Sequence, residues 1–268
     1  MNTKQFDVVG IGNAIVDILV KTEDAFLEDH NLSKGTMSII DSKTAEGLSA
    51  QIDSGIEVSG GSAANTISIL AALGGTGAFI GSVSNDQLGA TFRRDIRSMG
   101  VSFETPSKAS DSPTARCFVF VTPDAERTMQ TFLGACAELE PNDIQPDLIT
   151  SAEITYLEGY LWDPPLAKKA FEKAAKIAKN AERTVALSLS DPFCVHRHRE
   201  ELIVFINNYV DILFSNEEEV KALYLAQTFE EAIKSIPRHC NVAALTRGEN
   251  GSVIVAGDEK IVISGELV

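Results

Sequence analysis

Between Ile154 and Leu245 the chain repeats a short apolar run followed by an amphipathic helical stretch, and that alternation leaves few folds open. Strands are expected at Ile154–Leu157, Thr184–Leu189, Val210–Phe214 and Val242–Leu245, with helices over Pro164–Ala181 and Arg199–Asn207 and near Glu217–Leu225 and Phe229–Ser235. Strands joined by helices of this length run parallel and are covered on both faces, giving an α/β, three-layer αβα fold. The first half begins in the same manner, with a strand at Phe6–Gly12, a helix at Ser62–Leu73, a strand at Ala78–Val83, a helix at Leu88–Met99 and a short strand at Val101–Glu104. Strand-like segments at 14–20, 37–40 and 114–132 break the rhythm, the last folding back around Thr122-Pro123-Asp124-Ala125-Glu126. They read as a small β lid inserted into a single domain spanning 1–268, with a hairpin at Ser252–Val255 and Ile261–Ile263 near its end.

Composition removes several functions. A formal net charge of −15 leaves no positive face for a phosphate backbone, so nucleic acid is not an expected partner. No apolar stretch is long enough to span a membrane, and Asp7, Asn13 and Asp17 interrupt the N-terminal run, which argues against a signal peptide. Cys117, Cys136, Cys194 and Cys240 show no CxxC spacing, so neither zinc nor a disulfide framework is indicated and a cytoplasmic protein is expected. His196 and His198, two apart, fall on different helix faces and read as surface residues.

In an open α/β sheet, ligands bind outside the carboxyl ends of the strands, and the suggestive residues cluster there. Gly60-Gly61-Ser62-Ala63-Ala64-Asn65 packs small residues where a turn enters a helix; the glycines admit close approach of a ligand, and Ser62 can cap the helix. Asn13 and Asp17 follow the first strand, where a carboxylate can accept paired hydroxyls. Asn216 and Glu219 stand in N-x-x-E spacing at a helix start, with Glu219 aimed at the strand ends, where it could hold a metal-bound water. Thr246-Arg247-Gly248-Glu249-Asn250-Gly251 follows the strand at 242–245 and offers a hydroxyl, a cation and backbone donors for phosphates. Each has a purely structural counterpart: a Gly-rich turn, a surface Asp, acids favoured by the helix dipole, a tight turn. Asp86 reads as the N-cap of its helix. Gly10-Ile11-Gly12 lacks the third glycine of a dinucleotide fingerprint because position 15 is Ile, and no Walker A pattern occurs.

Together these residues resemble the ribokinase-like (PfkB) family of carbohydrate and nucleoside kinases, in order and over nearly the whole chain. The resemblance implies that Asn13, Asp17, Gly60, Gly61, Ser62 and Asn65 bind the sugar part of the acceptor, with Gly60-Gly61 as the hinge of the lid. It implies that Asn216, Thr246, Arg247, Gly248 and Gly251 bind ATP, and that Glu219 organises Mg²⁺ through water. The Gly-Gly-Ser-Ala-Ala-Asn-Thr run, Arg127-Thr128-Met129 and Glu158-Gly159-Tyr160 look most like the adenosine-kinase-like branch, in which Arg127 would lie near substrate and the transferred phosphate. A ribose, fructose or ketodeoxy acid acceptor stays open.

The implied reaction passes the γ-phosphate of ATP to a primary hydroxyl, by positioning and electrostatic stabilisation. The family's catalytic base belongs to a Gly-Ala-Gly-Asp turn that does not occur in this sequence and is expected beyond Val268. The 268 residues as written are therefore expected to look truncated and catalytically defective while still binding substrate. A non-catalytic sugar- or nucleoside-binding relative is the serious rival, and a nicotinamide-dependent enzyme a remote one. Either a monomer or a homodimer through the lid strands suits the pattern.

Overall fold

A computed structural model describes residues 4–52, 54–109, 111–236 and 240–266. In chain order, β1 (Phe6–Ile11) and β2 (Ile15–Lys21) precede α1 (Asp24–Asp29), β3 (Met37–Ile39), α2 (Ser42–Ser49), β4 (Ile56–Gly60) and α3 (Ser62–Ala72). Next come β5 (Gly77–Ile80), α4 (Gln87–Ser98) and the hairpin β6 (Ala115–Val121) to β7 (Arg127–Phe132). The regular alternation follows: α5 (Pro146–Ser151), β8 (Ala152–Glu158), α6 (Pro165–Asn180), β9 (Thr184–Ser188), α7 (Pro192–Tyr209) and β10 (Ile212–Asn216). Last are α8 (Glu217–Tyr224), α9 (Phe229–Lys234), β11 (Val242–Thr246), β12 (Ser252–Ala256) and β13 (Glu259–Ile263).

The residues group into two compact units. One comprises Met1–Ile11, Gly75–Ala78 and Glu140–Val268. Its sheet runs β13-β12-β11-β10-β9-β8-β1-β5, with β1 and β8 to β11 parallel and the last two strands antiparallel. The helices joining β8 to β11 carry apolar stripes: Ala167, Ala170, Phe171, Ala174, Ala175 and Ala178 are all buried on α6. The parallel register sets Asn216 of β10 beside Thr246 of β11, and Glu158 of β8 beside Ser188 of β9, along the carboxyl edge.

The other unit comprises Gly12–Gly74 and Phe79–Leu139, and contains a five-stranded sheet in the order β3-β7-β6-β2-β4. All three segments expected as lid strands lie in this sheet. Its side chains alternate between faces. Ile18, Val20, Phe118, Phe120 and Phe132 pack on one side with Leu27, Ala45 and Leu48 from α1 and α2.

Three local expectations differ from the structure. Val101–Glu104 is not a strand. Arg93 and Arg97 of α4 donate to the carbonyls of Phe103 and Thr105, so guanidinium groups satisfy acceptors that a ladder would otherwise use. β4 was not expected, because Ile56-Glu57-Val58-Ser59 is short and its residues are mostly exposed. Ser62 is not the cap of α3: Gly61 holds that position at φ 101°, without a side-chain cap, and Ser62 is the first helical residue. Asp86 does cap α4, accepting from the Gly89 amide and from the amide and hydroxyl of Thr114. No helix among the described residues is long and apolar enough to cross a membrane.

Candidate functional site

The acceptor-type residues assemble where β2 meets β4. These strands are antiparallel, with Ile15 opposite Gly60 and Asp17 opposite Val58, so Asp17 and Gly60 are diagonal neighbours on one face. A β-carbon at Gly60 would lie 2.3 Å from Asp17 Oδ2, so the carboxylate rests directly on the glycine backbone. Gly61 is fitted in the same way: its β-carbon would meet the Asn13 carbonyl oxygen at 2.2 Å. Asn13 itself is buried, and Asn65 is exposed on the first turn of α3, its amide bonded to the Gly61 carbonyl.

Asp17 is the unusual group. No hydrogen bond or ion pair reaches its carboxylate from any described residue, and burial pushes it up to about 6. A carboxylate kept from water without donors is costly, and a ligand bearing hydroxyls would supply them. Around it the register places two cross-strand rows, Ile39–Thr131–Cys117–Asp17–Val58 and Met37–Met129–Val119–Leu19–Ile56. Met37, Ile39, Ile56, Val58 and Leu19 are exposed, so the partnerless acid sits in an apolar face.

The donor-type residues gather in the other unit, at the ends of β10 and β11. Asn216 and Glu219 form a reciprocal cap on α8: the Asn216 side chain accepts from the Glu219 amide at 2.8 Å, and Glu219 accepts from the Asn216 amide at 2.9 Å. Glu219 Oε1 also accepts from Asn216 Nδ2 at 2.8 Å. Glu219 is buried, and that burial raises its pKa, with the charge of Asp191 adding to the effect. Tyr160, on the turn after β8, is pushed up to about 12 by burial and by the negative charges of Asp191, Glu158 and Glu219.

After β11 a tight turn closes, with the Arg247 amide bonded to the Gly251 carbonyl at 2.8 Å and the Gly251 amide to the Gly248 carbonyl at 3.0 Å. Gly251, at φ 81°, would place a β-carbon 2.0 Å from the Ile263 carbonyl oxygen, so the turn requires glycine there. The Thr246 side chain is exposed. Arg247 bonds through Nε to Glu217 Oε2 at 2.8 Å, and its guanidinium lies 4.2 Å from the Phe229 ring centroid.

Residues 35–265 match the model of the pfkB family of carbohydrate kinases. The chain belongs to this family. A crystal structure of adenosine kinase from Sinorhizobium meliloti is 46% identical, with a TM-score of 0.90 over 98% of this chain and 81% of that one. A probable sugar kinase from Rhizobium etli is 45% identical, with a TM-score of 0.91 over 99% of this chain and 81% of that one. Guanosine-inosine kinase of Escherichia coli is 28% identical over 227 residues, 81% of this chain and 52% of that protein. The pfkB chain described here thus spans about half the length of that relative.

The expected site residues of this pfkB chain are brought together within each unit, with one exception. Arg127 opens β7 opposite Val121, in the row that continues to Lys21, four residues along the strand from the row of Asp17. At ~3.4 Å per residue that separates them by more than 10 Å, so the described structure does not bring Arg127 to Asp17. Three neighbours escaped the sequence reading. Cys117 lies beside Asp17 and accepts from the Thr131 hydroxyl at 3.2 Å, Glu217 holds Arg247, and Phe229 lies against that guanidinium. Only cross-strand register could have revealed the first.

Proposed function

We propose that this pfkB protein transfers the γ-phosphate of ATP to a primary hydroxyl of a nucleoside, adenosine foremost. The observation that carries the reading is Asp17, a half-buried carboxylate with no partner among the described residues, pressed on Gly60 in an apolar face. A ribose offers two adjacent hydroxyls to such an acid, and an attached base offers the apolar surface. The adenosine kinase of S. meliloti, at 46% identity, supports this acceptor. The R. etli relative, at 45%, supports a free sugar as second reading.

In this reading Asp17 accepts both hydroxyls in its ionised form, and Asn13, Gly60, Gly61, Ser62 and Asn65 shape the surroundings of the sugar. Thr246, Arg247 and the Gly248–Gly251 turn receive the phosphates; the turn's own hydrogen bonds use the amides of Arg247, Asn250 and Gly251 and leave those of Gly248 and Glu249 outside them. Glu219, a buried carboxylate at the start of α8, is the hard oxygen group that would hold Mg²⁺ through water. Bound there, the ion would neutralise phosphate charge. The reaction belongs in the cytoplasm, which supplies ATP and keeps buried thiols such as Cys117, Cys136, Cys194 and Cys240 reduced.

Asp86 and Asp191 are engaged as helix caps and Asp17 by the acceptor, and Gly-Ala-Gly-Asp does not occur in the sequence. We therefore assign no base within residues 1–268. The test is calorimetric titration of the protein with adenosine and a panel of sugars, beside an ATP-dependent phosphorylation assay. Saturable adenosine binding supports the reading. Absence of binding by every compound sinks it, and rapid turnover by these 268 residues alone would overturn the assignment of the base.

A further inference from the structure

The carboxylate of Asp163, Sγ of Cys194 and a ring nitrogen of His198 all lie within 4.8 Å of one another. Cys194 and His198 are one turn apart on α7, and so share a side of the helix. Asp163 ends the 3₁₀ turn Gly159–Trp162 and meets that side. The helix departs from regular geometry at His198 (φ −118°, ψ 18°), and His198 Nε2 lies 2.7 Å from Asp163 Oδ1. His196 is exposed on the same helix, as the sequence implied, but His198 is turned into this cluster.

We propose that Asp163, Cys194 and His198 form a binding site for a borderline-soft divalent cation of the Zn²⁺ type. One imidazole, one thiolate and one carboxylate, with water as fourth ligand, is a set that Zn²⁺ takes in tetrahedral geometry. The neighbours support each ligand. Arg197 grips the Asp163 carboxylate at both oxygens, Nη2 to Oδ2 at 2.6 Å and Nε to Oδ1 at 3.1 Å, so Oδ1, which also faces His198, would exchange the longer Arg197 bond for the metal. His198 Nδ1 lies 3.8 Å from Glu201 Oε2, the oxygen that Lys168 also holds, so closing this gap would give the carboxylate–histidine pairing that orients metal-bound imidazoles.

Binding asks for small changes. The His198–Asp163 hydrogen bond would open by roughly 0.7 Å from 2.7 Å, since metal bonds near 2.1 Å at a tetrahedral angle put their ligand atoms about 3.4 Å apart. Cys194, whose Sγ lies 3.5 Å from the Gly159 carbonyl oxygen, exchanges its thiol proton for the metal and releases that proton to solvent. Thiolate and carboxylate together balance the dication. The bound ion would tie the turn after β8 to α7. The inference does not depend on the proposed kinase reaction, although Cys194 adjoins Asp191, whose carboxylate accepts from the Cys194 amide at 2.7 Å.

Titration of the protein with Co²⁺, followed by absorption, tests it. One equivalent with a thiolate-to-cobalt charge-transfer band is expected, competed away by Zn²⁺. Cys194→Ser should remove the band, and His198→Ala should weaken binding by at least about tenfold, the low end of what loss of a supporting partner costs. His196→Ala and Cys240→Ser should leave the titration unchanged. The proposal is overturned if saturating Co²⁺ gives the unaltered protein no thiolate band, if folded Cys194→Ser retains it, or if His198→Ala binds as tightly as the unaltered protein.

Discussion

Asp17 Oδ2 occupies the space that a β-carbon on Gly60 would need, at a separation of 2.3 Å. The two residues come from different strands, β2 and β4, and their antiparallel register alone brings them together. The acid placed there gains no donor from any described residue, and any side chain at position 60 displaces it.

Gly60→Ala and Gly61→Ala should therefore separate binding from stability. In Gly60→Ala the clash is with the end of a side chain that can swing away, so stability should fall by less than about 1 kcal/mol. Acceptor affinity should fall roughly 100-fold as the carboxylate is pushed aside. In Gly61→Ala the clash is with the Asn13 backbone oxygen at 2.2 Å and the native φ is 101°, so unfolding should be easier by about 3 kcal/mol. Denaturant melts and adenosine titrations of both variants check the contrast; equal stability loss in the two would refute it.

The raised pKa of Asp17 gives a pH dependence of defined sign. Burial lifts the folded value to about 6 from 3.8, so the ionised form costs stability, a cost absent below about pH 4 and fully present above pH 6. Asp17→Asn should accordingly stabilise the protein by about 1–3 kcal/mol at pH 7 and change little near pH 3.5. The same substitution should weaken acceptor binding. In the unaltered protein acceptor affinity should fall as pH drops below 6, because only the carboxylate accepts two hydroxyls. A flat affinity between pH 5 and 7 would contradict this.

On the donor side, Asn216→Ala removes the cap acceptor of α8 and should cost about 1 kcal/mol in a thermal melt. Glu219→Gln keeps the shape and removes the charge. Affinity for ATP in the presence of Mg²⁺ should drop about tenfold, with acceptor affinity unchanged. Loss of both affinities together would point to misfolding rather than to the cation.

Arg247 can be dissected through its two partners. Arg247→Ala loses the ion pair with Glu217 and the Phe229 ring, and should lower stability by about 1 kcal/mol and weaken ATP binding. Phe229→Leu leaves the cation in place. It should lower stability while largely preserving ATP affinity, as read by nucleotide titration of the two variants side by side.

The extent to which this protein could be read from its sequence follows from the range of the forces involved. Strands β8 to β11 and the helices between them are written locally, because each apolar run and each helical stripe is a periodic signal within a dozen residues. The strand-end motifs were legible for the same reason: Asn216 and Glu219 cap one helix within a single turn, and Gly248 and Gly251 close one turn. Val101–Glu104 misled because it makes one backbone hydrogen bond to β5, from the Phe79 amide to the Ser102 carbonyl, while arginines from α4 claim the Phe103 carbonyl, a choice that no strand propensity encodes. β4 was missed because pairing to β2, rather than its own composition, makes it a strand.

By itself, then, the sequence determined the alternating α/β pattern and the residue types at the strand ends, since both rest on neighbours along the chain. Only the tertiary structure decided that Asp17 would rest against Gly60 without a partner among the described residues, and that Asp163 would meet Cys194 and His198. Both depend on contacts between segments distant in sequence, whose geometry is set by register and packing.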